Sequence, residues 1–293
     1  RDGVERFRRE MKVVARFDHA GIVPVHDAGQ HEGHLFFVMP VVAGTSLRSA
    51  IRDGFLRRDE LVEVCVQVAE ALAYSHSLGV IHRDVKPENI MVVRLTGGRI
   101  RARLMDFGLA FENAASRITQ TGAVCGTILY LSPEQVRGEP IDGRTDVYSL
   151  GTVLYECLVG RPPFTGAVTA VLLRIANEIP TPPSRLGVTI EPHLEQIVLR
   201  ALAKEPAQRQ PSAAELAADL TRFTSLTTNE SEAATLTAEV RVLAPLLVGR
   251  DREIGQIQQQ LQNLKLTGAR LVLLEGGPGA GKSSLLDEFE RRV

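Results

Sequence analysis

The sequence has no tryptophan, four tyrosines, four methionines and three cysteines in 293 residues. Cys65, Cys125 and Cys157 form an odd, widely spaced set, which gives neither a disulfide framework nor a C-x-x-C metal knuckle. Cys65 and Cys157 fall inside apolar helical patterns and read as small core residues. This usage suits a reducing compartment, and the expected localisation is cytoplasmic. Charge of one sign is also lacking. Thirty-four basic residues face 35 acidic ones, for a net charge of −1, so there is no electrostatic footprint of a nucleic-acid or membrane-surface partner. Lysine is scarce: Lys12, Lys86, Lys204, Lys265 and Lys282 are the only five among 34 basic residues, a bias that follows GC-rich coding. No run reaches the roughly 18 apolar residues of a membrane span, and no signal-peptide pattern is present. The length allows one to three domains, and 44% hydrophobic residues is ordinary for a globular protein.

What is present is concentrated in two short motifs. His82-Arg83-Asp84-Val85-Lys86-Pro87-Glu88-Asn89 is followed by Asp106-Phe107-Gly108. Phosphoryl transfer needs a carboxylate near the attacking hydroxyl, a cation on the γ-phosphate, and ligands holding Mg²⁺ against the triphosphate. Asp84, Lys86, Asn89 and Asp106 are the residue types for those tasks, in the expected order. Asp84 is expected to accept or orient the hydroxyl proton, and Lys86 to hold the γ-phosphate. Asn89 and Asp106 are expected to ligate Mg²⁺ through hard oxygen donors. Any one of them alone reads equally well as a polar loop residue capping a turn. Both motifs in register make that reading weak.

These motifs resemble the eukaryotic-like (Hanks-type) Ser/Thr protein kinases of bacteria, over residues 1–223. Lys86, two positions after Asp84, is the Ser/Thr form of the loop, and Val85 stands where leucine is usual. The resemblance implies an α+β, protein-kinase-like fold with a partial N-lobe at 1–40 and a mainly α-helical C-lobe at 44–223. It implies ATP and Mg²⁺ as cofactors, protein substrates with Ser/Thr acceptors, and self-association for trans-autophosphorylation. Glu10, otherwise a solvated charge on an amphipathic helix over Arg1–Phe17, falls where that family carries its lysine-pairing glutamate. Met39 would guard the back of the ATP pocket, and Val42, in the hinge Pro40–Ala43, would offer its backbone to adenine. Arg83 would await an anion, with Thr119 and Thr121 as the phosphorylation sites that supply it. Thr127 would hydrogen-bond to Asp84 and Lys86, Glu134 would pair with Arg209, and Asp146 would accept from the backbone near His82 and Arg83. Phe107 and His82 would be packing residues.

Periodicity predicts strands at Ile22–Asp27 and Leu35–Met39, then helices at Thr45–Leu56 and Glu60–Leu78, the latter stopped by Gly79. Residues 90–93 and 100–105 read as a hairpin around Gly97-Gly98. A long buried helix is expected within Asp142–Gly160, and further helices at 167–177, 191–203 and 212–224. A glycine-rich loop and a strand-borne lysine are missing upstream, and Lys12, on the helix itself, is a poor substitute. The expectation is truncation before Arg1, leaving the fragment catalytically weak or dead. The alternatives are a pseudokinase or scaffold, or a sensor for the module that follows.

Residues 224–245, rich in Thr, Ser, Ala and Glu, read as a linker. In 246–293 the apolar stretch Leu271–Leu274 runs into Gly276-Gly277-Pro278-Gly279-Ala280-Gly281-Lys282-Ser283, which fits G-x-x-x-x-G-K-S between a strand and a helix. Gly276 and Gly281 would let backbone N–H groups face phosphate, Lys282 would reach the β/γ-phosphates, and Ser283 would ligate Mg²⁺. This stretch resembles the opening of an AAA-type or signalling P-loop ATPase, here an incomplete α/β segment. The expected architecture is therefore a kinase coupled to an ATPase signalling module. No hydrolysis is expected from the segment alone, because the acidic Walker B strand is absent.

Overall fold

The computed structural model describes residues 14–31, 34–107 and 127–228. Two compact units divide the chain, Arg1–Glu239 and Val240–Val293, and every described residue belongs to the first. The expected linker beyond Thr228 and the P-loop segment lie outside the described residues. So does the expected first helix, apart from its end at Val14.

Strands β1 (Asp27–His31) and β2 (His34–Val38) pair antiparallel, with Asp27 opposite Val38. The strand expected at Ile22–Asp27 is not there. Ile22 makes an isolated parallel bridge to Leu104, and the Val23 N–H donates to the Leu104 carbonyl at 2.9 Å. Pro24 has no N–H to continue a ladder. Ile22 and Val23 are moreover both buried, where a half-buried strand would alternate.

A second sheet has the order β3 (Thr45–Ser46), β4 (Ile90–Arg94), β5 (Ile100–Leu104), all antiparallel. The helix expected from Thr45 starts later, because Thr45 and Ser46 pair with Val92 and Met91. The Ser46 hydroxyl then accepts from the Ser49 N–H, making Ser46 the N-cap of α1 (Leu47–Arg52). Helix α2 (Arg58–Ser77) carries Leu61, Val64, Cys65, Val68 and Leu72 on one buried face. It packs against β5 and against two later helices.

Those later helices follow in order: α3 (Pro133–Arg137), α4 (Gly143–Val159), α5 (Val168–Asn177), α6 (Pro192–Ala201) and α7 (Ala213–Thr228). Helix α7 thus continues past residue 224, where the sequence pattern weakened. Every residue of α4 from Thr145 to Leu158 is buried, the polar Thr145, Asp146, Ser149, Thr152 and Glu156 included. Asp142 caps its start by accepting from the Arg144 N–H, and Gly160, at φ 82°, ends it. Helices α2, α6 and α7 pack around α4 to form the main core. A smaller cluster of Ile128, Leu131, Phe164, Val171 and Ile175 seats α5 against the 3-10 turn Thr127–Tyr130.

Close approach of α4 and α6 depends on Gly151, where a Cβ would lie 2.8 Å from the Ala201 Cβ. Ala201 has no flexible end that could move aside. Gly151→Ala should gain up to about 1 kcal/mol in helix propensity and lose about 1–3 kcal/mol to overpacking. Denaturant unfolding should therefore show net destabilisation, and a stabilised variant would contradict this packing.

Candidate active site

Helix α4 places the site from below. Asp146, fully buried, accepts from the His82 N–H at 2.8 Å through Oδ2 and from the Arg83 N–H at 2.8 Å through Oδ1. The His76 Nε2 adds a third hydrogen bond to Oδ2 at 2.7 Å. A carboxylate can only accept here, so Nε2 carries the proton. His82 is buried within the loop. Its Nδ1 accepts from the Asp84 N–H at 3.2 Å, and its Nε2 donates to the Met105 carbonyl at 2.9 Å, which fixes the neutral tautomer. Among the described residues, Arg83 (φ 69°) and Asp106 (φ 64°) are the only non-glycines with positive φ. Left-handed backbone at non-glycine positions costs of order 1–3 kcal/mol and concentrates at functional sites.

The side chains of this loop converge. Lys86 Nζ lies 2.7 Å from Asp84 Oδ2, and Asn89 Nδ2 reaches Asp84 Oδ2 at 3.2 Å and the Asp84 carbonyl at 2.9 Å. The Met105 N–H donates to the Asn89 carbonyl at 2.9 Å, which brings the residue before Asp106 against the loop. Burial pushes the Asp106 carboxyl up from its ordinary value and the Asp84 charge pushes it further, against the opposing pull of Lys86. Asp84 and Asp106 therefore lie within electrostatic reach of each other. Phe107, 3% exposed, packs edge-on to Phe17 with centroids 5.2 Å apart and lies 4.6 Å from the His82 ring.

Met39 and Val42 are half-buried in the irregular segment between β2 and β3. Among the described residues, the buried Nε of Arg83 has no hydrogen-bond partner. Thr127 opens the 3-10 turn, but its side chain lies outside the described residues, as do Glu10, Thr119, Thr121, Gly276, Gly281, Lys282 and Ser283. The structure brings Glu134 and Arg209 into a bidentate pair at 2.8 and 2.7 Å. Arg209 also donates to the carbonyls of Ala203, Arg144 and Lys204 and lies over the Tyr148 ring.

Several side chains at the site carried no local signal. Arg48, on α1, bonds Glu88 at 2.8 Å and also contacts Glu156 and Tyr130, so it joins the His82–Asn89 loop, α4 and the 3-10 turn. His76 belongs with them, because its role depends on a partner 70 positions away. Gln135, which bonds the Arg83 carbonyl at 3.0 Å, is another. Pairing of this kind across the chain is not visible in residue spacing.

The ion pair makes a clear prediction. Burial pushes the Glu134 carboxyl up, but the Arg209 guanidinium and the Thr145 hydroxyl outweigh it and hold the group below its ordinary value. A depressed carboxylate contributes stability that is present above its unfolded pKa and is lost as pH falls through the folded one. Arg209→Met strands Glu134 and should cost about 3–5 kcal/mol at pH 7. The penalty should shrink in acid, where Glu134 is protonated in the variant. Thermal unfolding of both proteins across pH 3–7 checks both statements, and a pH-independent difference would contradict them.

Comparison with known proteins follows from this geometry. The profile of the protein kinase domain family matches residues 1–220. The chain is 46% identical over 225 residues to the serine/threonine-protein kinase PknB of Mycolicibacterium smegmatis, and 44% identical over 225 residues to PknB of Mycobacterium tuberculosis. Each alignment covers 74% of this chain but 35% of the relative, so the chain spans about a third of the length of these proteins. Among solved structures, the M. tuberculosis PknI kinase domain (C20A mutant) matches with TM-score 0.59 and 30% identity, over 75% of this chain and 78% of that one. Rad53 residues 1–466, solved in complex with AMP-PNP, matches with TM-score 0.59 and 26% identity, over 74% of this chain and 54% of that one. The kinase-like fold and the profile match agree, and the chain belongs to the protein kinase family.

Proposed function

We propose that this kinase domain, within the intact protein, transfers the γ-phosphate of ATP to serine and threonine hydroxyls of proteins, with Asp84 as the residue that accepts or orients the hydroxyl proton. One observation carries the reading: Lys86 and Asn89 converge on the Asp84 carboxylate, and Asp106 lies close enough for that charge to raise its pKa. The relatives named as serine/threonine-protein kinases support the acceptor class. The solved relative with AMP-PNP supports an adenine nucleotide as donor.

The donor set suits Mg²⁺. Asn89 spends its amide N–H groups on Asp84, which leaves Oδ1 as a hard oxygen donor, and Asp106 carries a half-buried carboxylate. Bound there, the ion would offset charge on the phosphate oxygens. Lys86 adds a cation beside Asp84 to steady the phosphoryl group. Met39 and Val42 would line the adenine end.

Regulation by phosphorylation is part of the same proposal. Among the described residues the buried Arg83 Nε has no hydrogen-bond partner, and a phosphate adds about −1.5 to −2 charge with strong acceptor oxygens. Thr119 and Thr121 are the candidate acceptors, modified by a second copy of the chain. The P-loop sequence at 276–283 supports a further nucleotide-binding module that reads the kinase output.

The test is radiolabel transfer from γ-labelled ATP to Ser/Thr peptides by the intact protein. Asp84→Asn should lower the rate by about 10²–10⁴-fold. Asp106→Asn should remove detectable transfer, yet should not lower the melting temperature at pH 7. A charge whose folded pKa is raised is a cost to the fold above that pKa, and Asn adopts positive φ as readily as Asp. Transfer retained in Asp84→Asn, or a marked loss of stability in Asp106→Asn, would refute this assignment.

A further inference from the structure

The Gln135 side chain makes two bonds that have different purposes. Its Oε1 accepts from the Ser132 N–H at 3.0 Å, while the Gln135 backbone N–H donates to the Ser132 Oγ at 3.3 Å, closing a capping box at the start of α3. That box orients the amide, so the Nε2 end must face outward from α3. There it donates to the Arg83 carbonyl at 3.0 Å, across 52 positions of chain. The orientation follows from the partners, an N–H on one side and a carbonyl on the other.

The start of α3 is not free to drift. Neighbouring Glu134 is locked to Arg209 and also accepts from the Thr145 hydroxyl at 2.8 Å. The Gln135 amide is therefore a fixed point relative to α4. Arg83 is held from both sides, its N–H by Asp146 and its carbonyl by Gln135. These two contacts bracket a residue at φ 69° and set the plane of the peptide that leads into Asp84. Nothing in a capping box requires the second bond.

We propose that Gln135 is a positioning residue for phosphoryl transfer: its side-chain amide, fixed by Ser132, holds the Arg83 carbonyl and through it the peptide plane from which Asp84 projects. The seating of α3 is thereby communicated to the Asp84 loop by one hydrogen bond. This deepens the kinase reading and rests on it for its effect on turnover, but not for its effect on the loop.

Gln135→Glu separates the two bonds. Glutamate at this position still completes the capping box, but a carboxylate has no N–H to give to the Arg83 carbonyl. The experiment compares wild type and Gln135→Glu in the intact protein by thermal melting, by hydrogen exchange of peptides covering 82–86, and by steady-state transfer to a Ser/Thr peptide. The expected result is an unchanged melting temperature, faster exchange in the loop, and a kcat lowered about tenfold or more with KM values for ATP and peptide within about twofold. A purely structural role would move the melting temperature and leave the kcat-to-KM split untouched. Unchanged exchange in the loop overturns the proposal, and so does faster exchange with wild-type kcat. If wild type itself transfers no phosphate, the kinase reading fails, and the exchange comparison alone decides whether Gln135 holds the loop. Should Gln135→Glu fail to fold, Gln135→Met removes the same donor at similar length. It must then show the same loop exchange and kcat loss, and wild-type values there would overturn the proposal equally.

Discussion

A buried carboxylate at the start of α4 is the constraint on which the site depends. Asp146 has no access to solvent, and an unpaired charge in that position would be prohibitive. It is tolerated because two backbone N–H groups and an imidazole N–H satisfy it. Those same bonds pin His82 and Arg83, the two residues before Asp84. Burial of α4 and placement of the catalytic loop are thus one feature, because the core helix carries the acceptor that the loop needs. Close approach of the His76 ring requires Gly143, where a Cβ would sit 2.7 Å from the ring nitrogen.

The site stores strain and charge that the surrounding fold has to hold. Left-handed backbone at Arg83 and Asp106 costs of order 1–3 kcal/mol each. Asp106 is further disfavoured by burial beside Asp84. Against these stand the two-sided grip on Arg83, the Phe107 ring packed between Phe17 and His82, and the fully satisfied Glu134–Arg209 pair. The pair is worth most as an anchor: it fixes the end of the segment that approaches the loop, so strain at Arg83 cannot relax by moving α3.

Much of the helical fold was legible because its signals are local. The apolar face of α2, the long buried helix α4 between Asp142 and Gly160, and the hairpin at Gly97-Gly98 could be read from periodicity and caps. Boundaries failed where one residue's hydrogen-bonding chemistry outweighed the pattern. Pro24 limited the first strand to a bridge, and Ser46 acted as a cap where a helix interior was expected. Spacing placed Asp84, Lys86 and Asn89 on one loop, because all three are within five positions of one another. It could not place Arg48 against Glu156, 108 positions on, or Gln135 against Arg83. Such contacts are set by how α1, α3 and α4 pack, and packing has no period in the chain.

The most direct measurement is single-turnover phosphate transfer by the Asp146→Asn protein, with nucleotide affinity measured alongside. An amide cannot accept from three N–H groups and also hides an N–H of its own, so one contact to His76, His82 or Arg83 must break. If α4 positions Asp84 through this carboxylate, the transfer rate falls by about tenfold or more while nucleotide affinity stays within about twofold. A folded Asp146→Asn protein that transfers phosphate at the wild-type rate would contradict it.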